Sequence, residues 1–318
     1  MSIYVLDQFY LSITLLVTVG YQLAFFLVAY TFKFDKVTDF AGGTNFVTLA
    51  LLTFFLSQVY HTRQIIALLL VSVWGCRLAG NQLYRIIKTN SDRRFDGIRE
   101  NFFSFLGFWV AQMIWVWTVS LPVTFLNSYR LSEYDPAFGS ATDIIGIVLW
   151  AIGFAIELVA DLQKNYHYSH RSSPLDFARR GVWSVSRHPN YFGEILLWWG
   201  IFLLCLQPTL SSGISAGWAS IAGPLFTMAI LLFLSGLPYV EKPTQKKFYE
   251  SAEFSSYQDY LNSTSILIPM PPSIFARLPF WVKQVFFFEW PLYHYSPAWE
   301  ANVSSQRIYS TEDLEAPN

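Results

Sequence analysis

Charge is scarce in this sequence. Only 14% of its 318 residues are Asp, Glu, Lys or Arg, against about 25% in a typical soluble domain. So little charge argues against a large soluble core and for an integral membrane protein. The few charges nearly cancel, to a formal net charge of −1, so there is no electrostatic case for nucleic-acid binding. Cysteine is almost missing. Cys76 and Cys205 stand far apart in apolar stretches, which excludes a disulfide framework or a thiolate metal site and predicts two packing residues. No basic segment precedes the first apolar run, so it is expected to remain as a helix rather than be cleaved as a signal peptide. No internal repeat or low-complexity tract is visible.

What fills the chain instead is grease. Hydrophobic residues make up 53% and aromatics 19%, with 12 Trp. A spanning helix needs about 20 mostly apolar residues. Candidates run over 9–30, 46–60, 64–84, 101–126, 142–163, 190–206 and 216–236. The expected fold is therefore all-α, a polytopic bundle of about seven transmembrane helices. The loops orient it, because cytoplasmic loops collect Lys and Arg. Lys33 and Lys36 follow the first span. Arg85, Lys88, Arg93, Arg94 and Arg99 follow the third, and Lys164, Arg171, Arg179, Arg180 and Arg187 the fifth. Lys242, Lys246 and Lys247 follow the seventh. The intervening loops carry only Arg63, Arg130 and nothing, so the C-terminus is expected in the cytosol.

Residues 1–270 are expected to form one membrane-embedded domain, with its most distinctive half over about 142–270. Beyond it, LPFWVKQVFFFEWPLY carries prolines and charges that disfavour another span. Its Trp and Tyr suit a segment lying at the interface. Residues 271–318 are thus expected to be an interfacial segment and a disordered cytosolic tail.

Polar residues recur inside the apolar runs. Glu157, Asp161, Lys164 and Tyr168 fall on one stripe of a helix, if the fifth span continues that far. Arg77, Asn81, Tyr84 and Lys88 do the same in the third. Asn190 and Glu194 lie one turn apart in the sixth, with Tyr191 beside them and Trp198 a turn deeper. Long cations can reach the headgroups by snorkelling, which remains an equal reading for Lys88 and Lys164. Carboxylates are short, and one at a helix centre costs roughly 2.5–3.5 kcal/mol, so Glu157, Asp161 and Glu194 point to a lined cavity. Within SRHPNYFGE, Pro189 suits the first turn of a helix, and His188 before it is pushed out of helical geometry. A helix N-terminus with Arg187 and His188 beside it suits a phosphate-bearing ligand arriving from the cytosol. Gly193 lets a ligand or a helix come close. Glu194, one turn in, is placed to hydrogen-bond a carboxamide or ribose at the buried end of that ligand.

Several segments in order, TDFAGGTNF, WGCRLAGNQLYRI, DRRFDGIRE, ADLQK, SRHPNYFGE and a closing Tyr-x-x-Tyr before ILIP, resemble the steroid 5-alpha-reductase-like membrane family, in its DUF1295-type branch. The resemblance implies a membrane reductase that transfers hydride from NADPH to a conjugated carbon–carbon double bond of a lipid or sterol-like substrate. It implies cofactor-binding roles for Asp161, Lys164, Arg187, His188, Asn190, Glu194, Tyr257 and Tyr260. Glu194 and Tyr191 are the residues expected nearest the chemistry, and no metal is expected. The substrate-side Glu and Tyr of steroid reductases have no counterpart here. The endoplasmic reticulum is the expected membrane. Isoprenylcysteine carboxyl methyltransferases, which use S-adenosylmethionine, share an Arg-His-Pro-x-Tyr-x-Gly run and a later Glu before Tyr-x-x-Tyr, and give the alternative enzyme. A non-catalytic lipid-binding protein is the third reading.

Weaker signals are read blandly. His167 and His170 lack the accompanying ligands of a metal site. Gly42-Gly43 is no phosphate loop, because no Lys-Ser/Thr follows. Asn262 and Asn302 fit the glycosylation pattern but fall on the side expected to be cytosolic.

Overall fold

The computed structural model describes residues 2–33, 37–89 and 97–297. Lys36, Arg93, Arg94 and the tail from residue 298 lie outside the described residues, as do the side chains of Arg85 and Lys88. The helices are α1 (Leu11–Phe32), α2 (Val37–Ser57), α3 (Thr62–Thr89), α4 (Phe102–Val119), α5 (Leu121–Asn127), α6 (Ala141–His170), α7 (Pro189–Cys205), α8 (Gln207–Ser212), α9 (Ala222–Ala229), α10 (Leu237–Tyr249), α11 (Phe254–Ser263), α12 (Pro272–Phe275) and α13 (Phe280–Phe287). Among the described residues there is no strand, only two isolated β-bridges. Seven helical stretches are long and apolar enough to cross a membrane. The chain is an all-α, multi-pass membrane protein.

Helix ends depart from the apolar runs where local chemistry overrides hydropathy. α2 begins at Val37, not near 46, so the whole of TDFAGGTNF is helical. Its glycines serve packing: a Cβ on Gly43 would sit 3.1 Å from the Gly75 carbonyl of α3. The fourth run is cut after Val119, because Pro122 cannot supply an interior N–H and a new short helix starts. α6 extends to His170, which puts Glu157, Asp161, Lys164 and Tyr168 on one continuous helix. The last span is broken: a π-helical turn covers Ile230–Leu234, and Gly236 departs from helical geometry before α10 begins. Of the two cysteines, Cys205 is a packing residue as expected, whereas Cys76 is exposed.

Contacts divide the chain into two units, Met1–Ala155 with Gly193–Met228, and Ile156–Phe192 with Ala229–Asn318. The core of the first unit is aromatic: Trp74 meets Trp198 edge-on at 5.0 Å, and Phe46 meets Trp74 at 5.2 Å. A buried amide chain runs through it, with Gln112 donating to Gln22 and Gln22 to Asn45, each at 3.0 Å. Arg63 is fully buried. It donates to both oxygens of Asp143, at 2.7 and 2.8 Å, and also meets Asp135. Burying such groups is tolerable only because they pair with one another.

Within the same unit, α6 and α7 approach through glycine. A Cβ on Gly200 would lie 2.6 Å from the Gly146 carbonyl, and one on Gly153 would lie 2.6 Å from that of Gly193. Gly193, the glycine of SRHPNYFGE, therefore admits a neighbouring helix. Small residues at such crossings let backbones pack closely in membranes. Gly107, by contrast, has open space where its Cβ would be. Gly200→Ala should lower the thermal midpoint in detergent, at a cost of about 1–3 kcal/mol from overpacking. Gly107→Ala should leave it unchanged or raise it by up to ~1 kcal/mol of helix propensity. Thermal unfolding of the two variants in one detergent tests the contrast.

Candidate functional site

The second unit gathers most of the residues singled out in the sequence. Its frame is the last part of α6 and the loop that folds back on it. Gly181 has φ +63°, a left-handed conformation suited to glycine. A Cβ there would also collide with Gln163, whose side chain accepts from Val182 N–H at 3.0 Å. Trp183 Nε1 donates to the Ala160 carbonyl at 3.0 Å, and Lys164 Nζ sits 5.4 Å from the Trp183 ring centre. The loop is thereby fixed along α6, leading into Ser186, Arg187 and His188.

Ser186 makes a parallel bridge with Ser265. Arg187 N–H donates to the Ser265 carbonyl at 2.8 Å, and Ser186 Oγ donates to the Leu267 carbonyl at 2.8 Å. His188 N–H turns back to Ser186 Oγ at 3.2 Å. Pro189 then opens α7, as its fixed φ and missing N–H favour.

Arg187 is only 4% exposed. Its Nη2 donates to both oxygens of Glu289, at 3.2 and 2.9 Å, and its Nε lies 3.4 Å from Glu241. Burial alone would lower its proton affinity, but the Glu241 and Glu289 carboxylates outweigh that and hold it above the ordinary value. His188 Nε2 lies 2.7 Å from Glu241 Oε1, and its ring stacks on Tyr191 at 5.1 Å and 10°. Burial depresses the His188 pKa despite that carboxylate. The neutral ring therefore carries its proton on Nε2, donating to Glu241. Glu241 also accepts from Gln245 at 2.8 Å, and Glu289 from Ile266 N–H at 2.9 Å.

Around this centre stand the two C-terminal tyrosines. Tyr257 stacks on Phe248 at 4.2 Å, and Tyr260 OH donates to the Trp183 carbonyl at 2.6 Å. Burial pushes both phenols above their ordinary value, so both stay protonated. Asn190, on the first turn of α7, has its Oδ1 buried without a hydrogen-bond partner among the described residues.

The second unit thus contains Asp161, Lys164, Arg187, His188, Asn190, Tyr191, Tyr257 and Tyr260, while Glu194 belongs to the first. His188 and Tyr191 are in direct contact, and Tyr260 is tied to the loop that leads to Arg187. Arg187 is bound to protein carboxylates rather than presented outward. Sequence reasoning missed the two acids that organise the cluster. Glu241 was visible as a carboxylate just past the last apolar run. Glu289 had no local signal. His167 and His170 are engaged elsewhere, near Asp176 and on Tyr166 respectively.

The cluster holds one guanidinium, a neutral imidazole and two carboxylates, so it carries one acid more than it needs. Burial accordingly raises the Glu289 pKa above its ordinary 4.5, more than Arg187 lowers it. A raised carboxyl pKa stabilises the fold at low pH, and the benefit fades as pH rises through the folded value. Glu289→Gln should therefore change stability by less than ~1 kcal/mol, and the variant should gain on the wild type as pH climbs from 4.5 to 8. Arg187→Met strands two buried carboxylates and should cost about 3–5 kcal/mol. Thermal midpoints across that pH range decide both.

With this geometry in place, comparison with known proteins adds one finding. The family model described as "Protein of unknown function (DUF1295)" matches residues 25–261. No curated protein and no solved structure matches the chain. The match wholly contains six of the seven stretches apolar enough to cross a membrane and every residue from Asp161 to Tyr260 discussed above, and the chain belongs to the DUF1295 family.

Proposed function

We propose that this protein is a membrane-embedded, NADPH-dependent reductase of a conjugated carbon–carbon double bond in a lipid or sterol-like substrate. The observation that carries the reading is Asn190. A buried carboxamide oxygen with no partner, on the first turn of a helix, is costly unless a ligand donates to it. The amide of a nicotinamide or a sugar hydroxyl would satisfy it. Tyr191 beside it and Glu194 one turn on extend the same polar start of α7.

In this reading Asp161, Lys164 and Asn190 hold the cofactor. NADPH, when bound, supplies hydride to the β-carbon of the alkene. The chain's own residues orient and exclude water. Arg187 and Glu241 act by positioning, since they pair with one another and Glu241 also holds His188. Tyr191, its ring held against His188, is the proton donor to the α-carbon. Tyr257 and Tyr260 wall the C-terminal side of the cluster. The proposed setting is the endoplasmic reticulum with this unit facing the cytosol, where NADPH is supplied.

One observation favours a second reading. Glu241 meets the Arg187-His188 pair directly, and a Glu before Tyr-x-x-Tyr is the feature shared with isoprenylcysteine carboxyl methyltransferases. That reading replaces NADPH by S-adenosylmethionine.

Purified protein in detergent should bind NADPH saturably by fluorescence titration, and Asn190→Ala should weaken binding about tenfold, the value of one good buried hydrogen bond to a ligand. Lipid enones should then be reduced at the expense of NADPH. Saturable binding of S-adenosylmethionine with no response to NADPH would transfer the assignment to the methyltransferase reading.

A further inference from the structure

The C-terminal segment of the second unit, largely beyond the DUF1295 match, builds a cleft of its own. Two contacts set its place. Trp290 stacks on Phe233 at 5.4 Å and 14°, and Tyr293 OH donates to the Leu232 carbonyl at 2.9 Å. Leu232 and Phe233 lie in the π-helical turn where the apolar run of the last span ends. The π turn alters the normal ladder of backbone bonds, and the Tyr293 hydroxyl occupies a carbonyl there. Residues 290–293 are therefore pinned to the stretch of chain where the last apolar run ends.

Helix α13 precedes them by a few residues and has two distinct faces. Phe280, Lys283 and Phe287 recur at helical spacing, and Phe280 and Lys283 line the cleft while Phe287 is buried. Trp281, Val285 and Phe286 form an outward apolar face, each more than half exposed. A helix with such a face, bearing a Trp, at the end of a span lies in the bilayer interface. The cleft next to it has a volume of about 260 Å³ and is walled by Tyr249, Phe254 and Tyr295 together with the amides of Gln258 and Asn262; its lining also includes Tyr257 and the Glu289 carboxylate, which is already paired with Arg187.

Lys283 supplies its charge. The Nζ lies 4.4 Å from the Phe275 ring centre and donates once, to the Asn262 carbonyl at 3.0 Å. An ammonium has three donors, so two remain for a ligand. Lysine binds phosphate as a point charge, and a cleft beside the end of an apolar run is where the phosphates of a surrounding bilayer would meet it. We propose that this cleft binds the phosphodiester headgroup of a membrane glycerophospholipid, whose acyl chains run along the outward face of α13. Lys283 takes the phosphate oxygens, Gln258 and Asn262 the headgroup, and the aromatic walls the glycerol. The cleft shares Tyr257 and Glu289 with the Arg187 cluster but does not include Asn190, and the proposal holds whether or not the protein is a reductase.

The test uses the full-length protein, delipidated in detergent and titrated with dioleoylphosphatidylglycerol, with adducts read by native mass spectrometry. Wild type should take up one lipid saturably. Lys283→Gln should bind roughly fivefold more weakly, as expected for one cation near a lipid headgroup, and Trp281→Ser should weaken binding as well. The soluble headgroup glycerophosphoglycerol should not compete at a hundredfold excess. Equal affinity of wild type and Lys283→Gln would overturn the proposal. Effective competition by the soluble headgroup would reassign the cleft to a free phosphate ester and overturn the lipid. Should Lys283→Gln lose its helical circular dichroism, Gln258→Leu, a surface change on the same wall, reads the cleft instead, and unchanged lipid affinity in that variant overturns the proposal equally.

Discussion

A guanidinium cannot be taken out of water without anions to meet it, and the second unit is organised around that requirement. Arg187 is held from one side by Glu241, on α10, and from the other by Glu289, after α13. Three stretches of chain remote in sequence are thereby tied to one point. The Ser186–Ser265 bridge, the neutral His188 and the Gln245 amide all follow from satisfying that group. Buried charge is seldom the cheapest way to stabilise a fold. Its value here is specificity: only one arrangement of these segments leaves the guanidinium paired.

The first unit solves the same solvent problem with neutral groups. Its amides form a chain, and its helices meet backbone to backbone at glycine. Where it does bury a full charge, at Arg63, it surrounds the cation with Asp143, Asp135 and the Pro136 carbonyl. In both units these buried charges find their partners inside the protein, and the Asn190 carboxamide oxygen is an exception among the described residues.

Much of the architecture was legible in the sequence because hydropathy is a long-range average and survives local noise. All seven spans came from apolar runs, and the stripe from Glu157 to Tyr168 foretold that α6 outlasts its apolar part. The start of α2 was missed because Gly42, Gly43, Thr44 and Asn45 look like a loop until a neighbouring helix is present to pack on them. The break in the last span was missed because AILLFLSGL is as apolar as any intact helix. Within the site, Arg187, His188 and Asn190 were visible from the way Pro189 starts a helix. Glu289 was not, because a partner 102 residues away in sequence leaves no spacing to read.

That separation also sets an order of assembly. Chains fold as they are made, N-terminal parts first. When the segment with Arg187 and the helix with Glu241 have been synthesised, a balanced pair of charges can already form. Glu289 arrives only after α13 has been made, so the last acid to join is the one the charge balance least requires. The unit is thus neutral at its centre while it waits, and the C-terminal segment closes over a pair that is already satisfied.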